Sequence, residues 1–178
     1  MKRTLPFLPL FFVAWLLSAC APIKPVPLIP FIDGNHWMVF SPMEYTRAST
    51  GVTYEVPEGF VTDFASIPRP LWPIYPKTGR YQLAAVVHDY LYWEQTTSRK
   101  EADQIFLEGM EESGVSKKDR LIIYHAVRKG GEGAWKKNAE QRAAGKPRVI
   151  PSEHRDIPAN TEWEEYREFL YKEGVRPE

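Results

Sequence analysis

A histidine and an aspartate stand side by side at His88-Asp89, inside the apolar run Ala84-Ala-Val-Val-His-Asp-Tyr-Leu-Tyr92. Polar groups in such a run lose water on folding and must find partners, so the pair marks a place where polar chemistry is kept in the interior. On a helix His88 and Tyr92 share a face, while Asp89 points about 100° away. A second helical segment, Ser98 to Met110, carries Asp103 at the edge of its apolar stripe. Two antiparallel helices can therefore bring His88, Asp89 and Asp103 together. Asp103 accepting a hydrogen bond from one ring nitrogen would fix the tautomer and raise the basicity of His88, leaving the other nitrogen to deprotonate water. Asp89, with Asp63 and backbone carbonyls, offers oxygen ligands suited to a hard cation such as calcium. The structural alternative is a satisfied core histidine, with Asp89 or Asp103 paired to Arg80, Arg99 or Arg128. The residues alone leave both open.

The elements that must position these groups are strands first and helices afterwards. His36-Trp-Met-Val-Phe40, Met43-Glu-Tyr-Thr-Arg47, Val52-Thr-Tyr-Glu-Val56 and Phe60-Val-Thr-Asp63 alternate bulky and polar residues between turn signals, the pattern of a half-buried sheet. Pro68, Pro70, Pro73 and Pro76 make the following stretch neither regular helix nor central strand. Helices are expected at about 80–94, 99–113, 117–129 and 132–143. Ser98 with Glu101 and Ser116 with Asp119 read as capping boxes, and Gly114 and Gly130-Gly131 as stops. Ala102, Ile105, Phe106 and Met110 form the core stripe of the second helix, and Leu121, Ile122 and His125 begin one on the third. The expected class is α+β: a small N-terminal antiparallel sheet followed by three to four helices. The tail is polar, with one amphipathic helix from Thr161 to Tyr171 that can pack through Trp163, Tyr166 and Leu170.

Met1-Lys-Arg-Thr, a short apolar stretch from Leu5 to Leu17 and then Leu17-Ser-Ala-Cys20 read as an export signal, too short for a membrane span. The Leu-Ser-Ala-Cys ending resembles the bacterial lipobox, so Cys20 is expected to be acylated and to become the first residue of the mature chain. It is the sole cysteine, which leaves no disulfide to support the fold. Ala21 after it points to the outer membrane, facing the periplasm. The four prolines between Ala21 and Pro30 read as an extended spacer of roughly 30 Å that holds the domain off the bilayer. The organisation is thus a signal peptide (1–19), a lipidated cysteine and proline-rich tether (20–32), one globular domain (33–145) and a polar C-terminal extension (146–178).

Lysine and arginine balance aspartate and glutamate at 23 each, and loss of Lys2 and Arg3 with the signal leaves a formal charge of −2. That balance does not advertise a nucleic-acid partner. The basic run Lys136 to Arg148 lacks interleaved aromatics and reads as a solvated surface. His36, His125 and His154 lack acidic neighbours at useful helical spacing. There is no paired-histidine zinc motif, no nucleophile elbow, no P-loop and no cysteine nucleophile.

Two resemblances follow from these motifs. Gly59-Phe-Val-Thr-Asp-Phe-Ala-Ser-Ile-Pro-Arg69, Ala85-Val-Val-His-Asp-Tyr-Leu-Tyr92, Ala102-Asp103 with Phe106 and Met110, and Tyr124 to Trp135 together resemble the domain of unknown function numbered 1353, found in tailed phages, prophages and bacteria. That resemblance implies a common fold and a phage or prophage origin, and it carries no activity. Locally, His88-Asp-x-x-Tyr92 followed by Asp103 is similar to the active-site helices of secreted phospholipases of the A type. The similarity implies His88 as general base, Asp89 as calcium ligand, and Tyr92 and Asp103 as the groups that orient the ring. The glycine-rich calcium loop and the helix-linking cysteines of those enzymes are missing, so the Asp63 loop would have to complete a calcium site.

Two functions fit the sequence. One is an envelope lipoprotein whose His88, Asp89 and Asp103 hydrolyse a lipid ester or another envelope component with help from calcium. The other is a non-enzymatic lipid-anchored protein that blocks or reorganises an envelope partner, as in superinfection exclusion, with the cluster serving only the fold.

Overall fold

A computed structural model of the chain describes residues 23–64, 67, 72–76 and 78–177. Five short strands come first: β1 (Leu28–Pro30), β2 (Trp37–Val39), β3 (Met43–Thr46), β4 (Thr53–Val56) and β5 (Val61–Thr62). Helices α1 (Gln82–Glu94), α2 (Arg99–Glu112), α3 (Lys117–Gly130) and α4 (Glu132–Ala143) follow, and after a 3-10 turn at Ser152–His154 the chain ends in α5 (Trp163–Lys172). The fold is α+β, with the sheet residues N-terminal and the helices behind them.

The strands form two small antiparallel sheets, not one. The first has the order β1-β2-β5 and the second pairs β3 with β4. Met43 faces Val56 and Tyr45 faces Tyr54 across the hairpin, so its inward residues alternate as the sequence pattern requires. In β2 the same alternation serves two cores. Val39 joins the main core under α1 and α2, whereas Met38 turns to a second cluster with Phe31, Val61, Ile150, Trp163, Tyr166 and Leu170.

The central element is α1, which packs against α2, α4, β4 and β5. It is buried on nearly every side because its sequence is apolar nearly all round. Ser98 and Ser116 cap α2 and α3 by accepting from the backbone N–H of Glu101 and Asp119. Close approach of α1 and α2 depends on Gly109, where a Cβ would lie 3.0 Å from that of Ala84.

Three expectations change. The core stripe of α3 is Ile123 and Val127, which leaves Leu121, Ile122 and His125 facing outward; all fourteen residues are helical, but the apolar face is rotated by about one position. The tether is not free over its described part. Ile23 is only 7% exposed within the main core, Val26 and Leu28 pack on it, and Pro30 sits in edge strand β1, where a missing N–H is tolerated. Finally, residues 146–178 are not an appendage. Val149 bridges Phe60, and Ile150, Trp163, Tyr166 and Leu170 supply most of the second core. The expected C-terminal packing helix is α5, and it belongs to the domain.

Candidate active site

His88 and Tyr92 are one turn apart on the α1 face that meets α2, and Asp103 projects from α2 between them. His88 Nε2 lies 2.9 Å from Asp103 Oδ1, and the Tyr92 hydroxyl donates to the same oxygen at 2.6 Å. The other carboxylate oxygen, Oδ2, accepts from Arg128 Nη1 at 2.5 Å and Arg99 Nη1 at 3.4 Å. Burial alone would push the Asp103 carboxyl up, but hydrogen bonds from His88, Tyr92 and Arg128 outweigh it and hold the group below the usual carboxylate range. Burial and the adjoining Asp103 push the Tyr92 phenol well above its ordinary value. The imidazole is stacked near Tyr92 and Phe106, with ring centres 4.1 and 4.8 Å away. It is 2% exposed and Asp103 is fully buried.

Asp89 looks the other way round α1, as its position in the helical turn requires. Its Oδ2 accepts from the Thr62 hydroxyl of β5 at 2.6 Å. Burial and then the negative charge of Asp63 push its carboxyl up to about 6, against the opposing pull of Arg148, Thr62 and His88. Asp63, partly exposed just beyond β5, is bonded by Arg148 Nη2 at 3.2 Å. Arg148 also donates to the Val61 carbonyl and the Asn138 side chain.

The geometry therefore gathers His88, Tyr92 and Asp103 into one hydrogen-bonded group and sets Asp63 and Asp89 in a second, on the far side of α1. Of the three arginines named as structural partners, Arg99 and Arg128 do lie on Asp103, whereas Arg80 donates to the Gly114 carbonyl. Thr62 and Arg148 were missed. Arg148 closes the run read as solvated surface, and Arg142 in that run donates to the Glu94 carbonyl, so two of its basic residues are structural. Contrary to the expectation, His36 has an acidic partner at i−3, Asp33 at 2.9 Å, held by a turn and not a helix.

Asp63 and Asp89 do not fit a calcium ion as they stand. Such an ion takes six to eight oxygens, while here each carboxylate is already bonded by a protein donor and Arg148 supplies the positive charge. Among the described residues no group of three or more histidine, cysteine, aspartate or glutamate side chains gathers as a metal site. Cys20 lies outside the described residues. Among those described, no helix is long and apolar enough to cross a membrane.

The sequence profile of a family described as "Protein of unknown function (DUF1353)" matches residues 37–127, about half of the chain, and takes in both halves of this group. The chain belongs to the DUF1353 family. A relative in Sinorhizobium fredii (strain NBRC 101917 / NGR234), the uncharacterized protein y4jT, is 34% identical over 79 residues, which is 43% of this chain and 24% of that protein. The chain thus spans about a quarter of that relative's length. No solved structure matches. The DUF1353 match ends at Val127, one residue before Arg128, and leaves α4, α5 and the Arg148 clamp outside it.

Proposed function

We propose that this DUF1353 protein is a phage- or prophage-type lipoprotein of the bacterial envelope, anchored by acylated Cys20 on the periplasmic side of the outer membrane, in which His88 is the base of an ester hydrolase. One observation carries the chemistry: Asp103 Oδ1 receives both His88 Nε2 and the Tyr92 hydroxyl. Because Asp103 is held ionised, it can only accept, so Nε2 bears a ring proton, and in the neutral ring Nδ1 holds the lone pair. In that tautomer Nδ1 takes a proton from water as the water oxygen attacks the ester carbonyl. The same proton passes to the alkoxide as its bond to carbon breaks. Tyr92 and Asp103 are positioning residues that hold the ring for this transfer. The local likeness to secreted phospholipases of the A type supports a lipid ester as substrate, and no step here runs through a metal. Turnover requires water at Nδ1 of a ring that is 2% exposed and holds a further contact, so the site must open to admit it.

That same burial favours a second reading, in which the His88–Asp103 network only locks α1, α2 and α3 and the protein acts by binding an envelope partner. Fatty-acid release from phospholipid vesicles separates the two, with the unaltered protein and His88→Gln both held below their melting temperatures. A hydrolase loses about 10²–10⁴-fold in rate in His88→Gln. Absence of release by the unaltered protein, with His88→Gln changing stability alone, would sink the enzyme reading.

A further inference from the structure

Two residues separate Cys20 from Ile23, three backbone steps that span at most about 11 Å fully extended, and Ile23 is fixed in the core. Its Cδ1 lies 3.7 Å from where a Cβ on Gly109 would stand, beside Ala84. The chain therefore leaves the domain where the first turn of α1 crosses the last turn of α2. Loop 72–76 and the start of α3 share that end of the molecule. Tyr81 bonds the Pro76 carbonyl, Arg80 donates to the Gly114 carbonyl beyond α2, and the Tyr75 hydroxyl donates to Asp119 of α3 at 2.9 Å.

This end carries apolar side chains that the fold does not use. Ile74 is 72% exposed, and Leu121 and Ile122 project from the outer face of α3. Exposed Lys117 and Lys118 lie one turn before Leu121 and Ile122 on α3, exposed Lys24 follows Ile23, and exposed Arg80 sits by Gly114. The nearby acids are already engaged, Glu111 with Arg120 and Asp119 with Ser116 and Tyr75.

We infer that Ile74, Leu121 and Ile122, with Lys24, Arg80, Lys117 and Lys118 around them, form a docking face for an anionic phospholipid bilayer. The inference rests on the lipid-anchor reading proposed above, and not on the hydrolase. A tether of this reach holds that end of the domain against the headgroups. There the aliphatic side chains enter the interface and each lysine or arginine contributes about 1 kcal/mol against an anionic surface. The lipid is the occupant that both the tether and the charge select.

Acylation of the sole cysteine makes any added cysteine the unique free thiol. The full chain is purified after export as Ile74→Cys, and separately as Glu140→Cys on α4 at the opposite end of α1. Intact mass establishes the diacyl or triacyl N-terminus, and each protein is labelled with an environment-sensitive dye and reconstituted in vesicles of phosphatidylethanolamine and phosphatidylglycerol at 3:1. The dye at 74 is expected to shift to the blue and to be quenched by brominated lipid, with the dye at 140 unaffected. Lys117→Ala with Lys118→Ala should lower the docked-to-free ratio about 30-fold, as should replacing phosphatidylglycerol by a neutral lipid in direction if not in size. Three outcomes overturn the inference: an acylated protein whose dye at 74 stays in water, equal quenching at 74 and 140, or protection at 74 without lipid quenching, which means a protein occupant. A mature chain without acyl groups removes the anchor reading itself, and intact mass reports that independently of the dye.

Discussion

Asp89 and Asp103 are one residue type in two environments with opposite consequences for stability. The Asp103 carboxyl is held low by His88, Tyr92 and Arg128, so it stabilises the fold above the unfolded carboxylate range and that contribution fades as pH falls below it. The Asp89 carboxyl is pushed up to about 6 by burial and by Asp63. Its folded form keeps a proton that the unfolded chain has already released, so its effect is full below about pH 4 and is lost as pH rises to about 6. Asp89→Asn is therefore expected to remove a decline in stability of roughly 2–3 kcal/mol between pH 4 and pH 7, read from urea unfolding at each pH. A decline that persists in the variant would place the titrating group elsewhere. Sequence exposed this part of the molecule well. His88 and Tyr92 recur at a helical turn, and the Ser98 cap sets the phase of Asp103. What it could not expose is Arg148, which reaches Asp63 across 85 positions of chain and changes a pair of ligand candidates into a clamped ion pair.

Elements legible from spacing alone were those whose packing is local. Helices α1 to α4 lie within a few residues of their expected limits, and serine caps and glycine stops are written beside α2 and α3. The apolar phase of α3 was displaced because three consecutive aliphatic residues, Leu121, Ile122 and Ile123, offer two faces and only the partner helix decides between them. Strand β1 was hidden by Pro27 before it and Pro30 at its end, which suit an edge as well as a spacer. Gly59 marks the joint between the sheet and the C-terminal segment. Its φ is +89°, and a Cβ there would stand 2.2 Å from the Ile150 carbonyl oxygen. Gly59→Ala is expected to cost about 2 kcal/mol or more, since both the backbone angle and the hydrogen bond from Ile150 N–H to the Gly59 carbonyl are affected. Chemical denaturation tests this directly, and a neutral substitution would mean the joint is free to open.

For the whole molecule, the segment after Ile150 is needed to finish the interior. Trp163, Tyr166 and Leu170 of α5 cover Phe31, Met38 and Val61, and at roughly 1.5–3 kcal/mol for each large apolar side chain their loss approaches the total stability of an ordinary domain. A chain ending at Ile150 is expected to melt without a cooperative transition and to bind a hydrophobic dye, as followed by calorimetry and fluorescence. Cooperative melting of that fragment would show α5 to be dispensable. The interlock also dictates when the protein can become itself. Trp163 N–H reaches Asp33 Oδ2, and Ile32 N–H reaches the Thr161 carbonyl, so the earliest strand is sealed by the latest helix. Until α5 has emerged, Phe31, Met38 and Val61 of the second core stay uncovered. On the exported-lipoprotein reading proposed above, such lateness is a safeguard against becoming rigid before the translocation channel has been passed.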